Sequence, residues 1–507
     1  MRERPSRPVR REARGLAVTG LLVAVFIGGL VALAAFMPVG HGLRPRGGGW
    51  FVPAVVGGAF TKHPLLIAVP WAACFVAGLV DWRRPWRVEH LDLLALAGFF
   101  PVAMLLSDDA PAAGLWLAAG CLVWLGTRLA GAALGAWPMP ELRPCVRSGR
   151  LGLAIAILLA VRLASLTVGN VSDVGQASLL GAWRLLHGLP LYGAVSWQGP
   201  GGLHVYRPDS YGPFAYYAYI PFALVFSALS AAASRLATLF PTATAFVAVP
   251  AMAGTLLSAA CFDALTIAGL YRLGRRLGGQ PGGRSLGQAF VFAYLLYPFP
   301  DLSLSAQAND GLIAALCVWA IVVAAERPAA RGVLVAAATL TKFVPALLAL
   351  QFPGPRRGRV RYLLALVAAL VIMLAWPLVT SGPAAFLDST LGYQLLQRGG
   401  GVQFSIWTYL PQAATVARPA LAAVLVLLAL APLLRDPRDP ADPRDPRRDA
   451  ALGTALLIGG QLLLGYWFYS YLTWCYPLIV IAIVGPPGPG GAGMTAVSGG
   501  VSARASP

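Results

Sequence analysis

Apolar stretches long enough to cover a bilayer's hydrocarbon, about 20 residues when helical, recur along this chain, separated by short polar connections. No block of water-soluble domain size stands between them. The pattern predicts an all-α, polytopic integral membrane protein, and the arginines in the connections assign a side to each crossing. Residues 1–14 form a basic N-terminus expected in the cytoplasm, as are the basic connections at 81–87, 141–150, 271–284 and 356–361. Crossings are then expected over 15–37, 64–80, 91–106 and 112–131, a four-helix block within 15–140. A core over 150–484 follows, with crossings at 151–168, 246–270, 288–300, 311–325, 361–379 and 419–434. Arginines at both ends of the stretch from Arg331 to Arg356 require a short out-and-back hairpin with Thr341 and Lys342 at its tip. A last pair turns at YWFYSYLTWCYP, for about 14 crossings with both termini inside. The first run is longer than a signal-peptide core and no small-residue cleavage site follows it, so a retained helix is expected.

One polar interruption stands out, from Arg162 to Pro213. The loop signs place it in a long external segment, 169–245, with 246–270 as the return crossing. Within it, 214–226 is apolar but bracketed by Pro213 and Pro221 and rich in tyrosine. That suits a juxtamembrane or re-entrant helix at the interface. The Asp-Pro-Arg repeat within 435–449 is too rich in proline for a helix and is read as a cytoplasmic loop. The Gly/Pro/Ser tail over 485–507 is expected to be disordered.

Composition changes this picture little. The chain is 58% hydrophobic and 12% charged, and its net charge of +19 would suggest nucleic acid in a soluble protein. Here the arginines sit in the connections, so no nucleic-acid partner is expected. Six cysteines are scattered, mostly within apolar runs, without metal-site spacing or disulfide clustering. His187 and His204 have no ligand-like partners, so neither a metal nor another cofactor is expected.

The candidate chemistry gathers in external segments. In SDVGQ, Asp173 and Gln176 have capping-box spacing, and on a helical period Asp173, Gln176, Arg184 and His187 share one side. Asp173 is either a helix cap or a working carboxylate. Lysine occurs only at Lys62 and Lys342, and an ammonium at the tip of a membrane hairpin is a functional candidate unless it snorkels to headgroups. Arg398 precedes three glycines that admit close backbone approach. Arg162 can pair with Asp173, bind phosphate or snorkel, and Asn309 can cap the helix beginning at Asp310 or Gly311.

Taken in order, Asp173, GAWRLLHGLPLYG at 181–193, YGPFAYYAYIP at 211–221, QAND, LTKFVPALLAL and QRGGGVQFS resemble the polyprenol-phosphate-dependent glycosyltransferases of the GT-C superfamily, family 87. The resemblance covers roughly 150–480. It departs from the family in having Tyr211-Gly212-Pro213 in place of the usual Tyr-Pro-Pro, and in the four helices that precede the core. It implies a GT-C-like core in which Asp173 is the catalytic base, and Lys342 and Arg398, with Arg162, hold the donor phosphate. Gln176, Arg184, His187, Tyr192, Tyr211, Asn309, Asp310 and Gln403 are then expected to contact substrate. The expected partners are a polyprenyl-phosphate-linked sugar, mannose first among them, a glycan or glycolipid acceptor, and membrane lipid. The expected setting is the cell membrane with the active site on its external face. A transporter or flippase of lipid-linked sugars is the alternative, although no convincing internal repeat supports one.

Overall fold

The computed structural model describes residues 64–485 apart from gaps, the longer of which are 199–203, 232–249, 397–404 and 435–444. The expected first helix at 15–37, the sites Arg398 and Gln403, the core of the Asp-Pro-Arg loop and the tail from 486 lie outside the described residues. What is described is about 79% helical with almost no sheet.

The first elements are α1 (Pro64–Leu79), α2 (Glu89–Ala97), α3 (Phe99–Ser107), α4 (Pro111–Leu134), α5 (Ser148–Val168) and α6 (Asp173–Leu186). The expected crossing at 91–106 is thus two helices broken at Gly98, where a Cβ would come within 2.6 Å of Cys121 Sγ. A hairpin of β1 (Ser196–Gln198) and β2 (His204–Tyr206) follows, antiparallel with Trp197 opposite Val205. It is the one sheet among the described residues, a small addition to an otherwise helical fold that keeps to the all-α expectation. Then come α7 (Phe214–Tyr217), α8 (Pro250–Leu277), α9 (Gly279–Leu296), α10 (Pro298–Ser305), α11 (Asp310–Val322), α12 (Pro328–Thr339) and α13 (Ala346–Gln351). The chain closes with α14 (Arg356–Thr380), α15 (Pro383–Leu387), a π-helical turn Asp388–Gly392, α16 (Pro411–Leu434), α17 (Pro446–Leu463) and α18 (Leu472–Ile483). The turn expected at 301–310 is half helical, because Pro298 opens α10 at the first helical position its fixed φ favours. Pro419, expected to begin a helix, lies inside α16, which opens at Pro411 instead.

Among the described residues five helices are long and apolar enough to cross a membrane, within α4, α5, α8, α14 and α16. The sides of α14 and α16 are mostly uncovered, and what they expose is apolar, including Val360, Leu364, Val371, Ile372, Val424 and Leu427. Apolar surface of this extent marks a lipid-facing protein. One apolar core runs from α1 to α18. The helices before Arg150 belong to it: Leu142 exchanges 2.7 Å hydrogen bonds with Ile483 and Gly485. They also carry a buried ion pair, Arg128 Nε to Asp92 Oδ2 at 3.6 Å, with Trp124 donating to the same carboxylate.

A second apolar cluster, of Leu180, Tyr192, Trp197, Tyr216 and Phe386, joins α6, the hairpin and α15. Gly181 sets how closely these elements approach, since a Cβ there would lie 2.1 Å from the Tyr216 ring. Gly181→Val is therefore expected to destabilise the protein by about 1–3 kcal/mol through overpacking, read as a lower thermal midpoint in detergent.

Candidate functional site

The two ends of the bundle differ in chemistry. At one end Arg331 meets Asp449 at 2.8 Å and Arg276 donates to the carbonyl of Val322, the last residue of α11. Asp310 opens the same helix, twelve residues earlier, so it lies roughly 18 Å away along the axis. Around Asp310 the other set of turns converges.

Asp310 is 2% exposed, and its Oδ1 accepts from Lys342 Nζ and from Trp474 Nε1, both at 2.5 Å. Lys342 sits in the break between α12 and α13, as the hairpin reading expects. Its ammonium lies over the rings of Trp474, Tyr471 and Tyr211 at 4.9, 5.1 and 5.8 Å, an arrangement that favours a cation electrostatically. Tyr211 arrives because its loop pairs with the break: Gly212 N donates to Thr341 O and Phe214 N to Leu340 O at 2.9 Å. A Cβ at Gly212 would stand 2.2 Å from Leu340 O. Glycine at the middle of Tyr211-Gly212-Pro213 is therefore required by backbone contact and supplies a hydrogen bond that proline cannot. Gly212→Pro is expected to undock this loop, lowering both thermal stability and any activity that depends on Lys342.

These groups border a cavity of about 580 Å³. Tyr211, Lys342, Tyr471 and Trp474 form its polar end, while Val344, Ala414, Ala422, Leu463 and Leu464 make it mostly apolar. Ser210, Gln394, Thr415 and Arg418 complete its polar lining. Sequence reasoning passed over Arg418 because Pro419 was taken as the helix start. An arginine inside ATVARPALAAVL, an otherwise apolar run, was the available signal.

Asp173 is exposed in the first turn of α6; it does not line the cavity, but its charge acts on Tyr211 and Tyr471, which do. Burial, with the charge of Asp173 adding to it, holds the Tyr211 phenol well above its ordinary range. The same charge reaches Tyr466, whose phenol is also raised chiefly by burial. Asp173 is not the helix cap. Ser172 Oγ accepts from Gly175 N at 3.2 Å, and among the described residues Asp173 accepts only from Val174 N. Gln176 turns back to the Val171 carbonyl rather than completing a capping box. The start of α6 is seated on the 306–309 turn: Ser172 N donates to Ala306 O at 2.8 Å, and Asn309 Nδ2 to Ser178 Oγ at 3.1 Å. Asn309 thus ties its turn to α6; it stands at the N-cap position of α11 without a side-chain cap bond. Gln307, in that turn, holds a left-handed φ of 50°, a strain that persists only where its surroundings fix it.

Other expected substrate contacts lie elsewhere. Arg184 and His187 share a side of α6 with Asp173 but sit about 16 and 21 Å further along its axis. Arg184 grips the Pro190 carbonyl and covers Trp197, while His187 stacks on Trp183. Tyr192 is buried and donates to the Tyr211 carbonyl at 3.0 Å, supporting the loop from behind. Arg162 neither reaches Asp173 nor snorkels. It is 3% exposed, bonded to Asp263, 3.9 Å from Asp301 and stacked over Tyr294. Nor do Asn309 and Asp310 line the cavity; Asp310 braces Lys342 and Trp474, which do, while Asn309 holds Ser178. Among the described residues no three His, Cys, Asp or Glu side chains gather as a metal would require. No protein-family model and no curated protein sequence matches the chain.

Proposed function

We propose that this protein transfers a sugar, mannose in the first instance, from a polyprenyl-phosphate donor to a glycolipid or polysaccharide acceptor outside the cytoplasm. The observation that carries the reading is the mostly apolar cavity bearing Lys342 and Arg418, with an exposed carboxylate, Asp173, whose charge acts on the lining residue Tyr211. A lipid-linked phosphosugar asks for that combination. Its leaving group, polyprenyl phosphate, is already a stable anion, so no strong general acid is needed. The acceptor hydroxyl attacks the anomeric carbon, its proton passes to Asp173, and the bond from that carbon to the phosphate oxygen breaks. Displacement from the opposite face inverts the configuration. The charge that grows on the departing phosphate faces cations held in an apolar, weakly screening site. The polyprenyl chain follows the apolar lining, and the sugar occupies the tyrosine-rich end.

One observation favours a second reading, a transporter or flippase of lipid-linked sugars: the buried cluster of Arg162, Asp263 and Asp301 within the helices. Charged groups so placed are functional candidates, although the cluster is internally paired.

Membranes containing the protein, supplied with radiolabelled polyprenyl-phosphate mannose and an extract of envelope glycolipids, are expected to move label into the glycolipid fraction. Label that stays on the polyprenyl lipid across a panel of donors and acceptors would argue against transfer. The sidedness is tested separately. Tyr206→Cys, at a 68% exposed position in the hairpin, is expected to react with an impermeant thiol reagent in intact cells, and reaction only after lysis would reverse the orientation.

A further inference from the structure

Lys342 is not a free cation: Asp310 balances its charge at 2.5 Å. Among the described residues that line the cavity, the remaining charge is Arg418. Its Nε donates to the Leu463 carbonyl at 3.0 Å, and among the described residues no carboxylate pairs with it. Arg418 lies seven residues into α16, about 10 Å along the axis from Pro411, on a helix whose sides are mostly uncovered. A guanidinium at that depth in a bilayer is costly without an anion.

Its neighbours leave room for one. Ala414, Arg418 and Ala422 recur at four-residue spacing, so they share one face of α16, and all three line the cavity. The two alanines leave a groove about 12 Å long on that face, with Val344, Leu463 and Leu464 among the cavity's apolar lining. With Nε occupied, the two terminal nitrogens remain to bind one anionic group as a fork.

We infer that Arg418 is the residue that holds the anionic group of the ligand, and that the cavity, whose lining keeps one unmatched positive charge once Asp310 is set against Lys342, takes a singly charged phosphodiester whose lipid chain runs along the α16 groove. The identification of that diester as a sugar donor rests on the proposed function; the anion site at Arg418 does not. A doubly charged diphosphate leaves one negative charge unmatched and binds less well. Before transfer Arg418 carries the diester's charge. Lys342, already matched by Asp310, comes into use as the second charge develops on the leaving phosphate.

The test uses the full chain purified in detergent and measures retention of radiolabelled polyprenyl-phosphate mannose, with polyprenyl diphosphate and phosphatidylglycerol as competitors. Wild type is expected to retain the diester, to be displaced poorly by the diphosphate, and not to be displaced by phosphatidylglycerol. Arg418→Gln is expected to weaken retention roughly ten- to hundred-fold, the loss of a charge-assisted pair, with an unchanged thermal midpoint. Should that variant fail to fold, Arg418→Met is the second neutral replacement and is read in the same way. A folded neutral variant that binds the diester as wild type does would overturn the role of Arg418 and leave the transferase reading standing. If wild type instead holds phosphatidylglycerol in preference, and Arg418→Gln loses it, the anion site stands as a headgroup site and the transferase reading fails.

Discussion

Asp173→Asn is expected to lower sugar transfer about 10³-fold, within the range that general-base catalysis contributes, while leaving the thermal midpoint where it was. The fold tolerates the change because the cap of α6 belongs to its neighbour. Ser172 Oγ holds the Gly175 amide, and the one bond to the Asp173 side chain among the described residues, from Val174 N, is one that an asparagine oxygen also accepts. What asparagine lacks is the ability to take a proton from the acceptor hydroxyl. Ser172→Ala supplies the control. It is expected to cost about 1 kcal/mol of stability, as losing a helix cap does, without changing transfer per folded molecule by more than a few-fold. Transfer by Asp173→Asn equal to wild type would remove Asp173 as the base, and equal losses in the two variants would make the helix start, and not the carboxylate, the cause.

Lys342→Met is expected to have the largest effect on stability. It leaves the Asp310 carboxylate, 2% exposed, with Trp474 as its remaining partner, and stranding one member of a buried ion pair costs about 3–5 kcal/mol. Asp310→Asn in the same chain removes the stranded charge, so the double variant is expected to recover much of the lost thermal stability. It is not expected to recover transfer, because the cation that faces the departing phosphate is still missing. This separates the two roles of the lysine: the structural one is relieved by a compensating change, the chemical one is not. A double variant that regains both stability and transfer would make Lys342 a purely structural residue.

The gathering of Tyr211, Asp310 and Lys342 at one end was legible because it needs only the order of apolar runs and the arginines between them. Connections that alternate along a helical bundle must gather at alternate ends, whichever residues they carry. The partners within that end were not legible. Asp310 and Lys342 were seen as separate candidates, 32 positions apart, and nothing local says that they neutralise each other. Arg162 illustrates the same point, since Asp263 comes from a helix 101 residues away. Periodicity put Arg184 and His187 on the side of Asp173, but a shared side along three or four turns is not a shared site. Arg418 was hidden by a boundary rule: a proline usually marks a helix start, yet Pro419 lies within α16. The hairpin escaped notice because its strands, Ser196–Gln198 and His204–Tyr206, are three residues each, too short for alternation to stand out.

The glycine of Tyr211-Gly212-Pro213 shows sequence and structure correcting one another. As a sequence it departs from the pattern of the family that the motifs resemble. In the fold it is the point where the Tyr211 loop touches the Leu340–Lys342 break, and a side chain there would collide with the Leu340 carbonyl.

The central claim is that the bond between sugar and lipid phosphate is broken in this cavity. Purified protein in proteoliposomes, given polyprenyl phosphate carrying differently labelled sugar and lipid, tests it most directly. The account predicts that the two labels separate, at a rate that depends on added acceptor and on Asp173, with the new linkage inverted. Labels that stay together while the intact lipid changes leaflet would contradict it and make the protein a carrier of the molecule it was proposed to cleave.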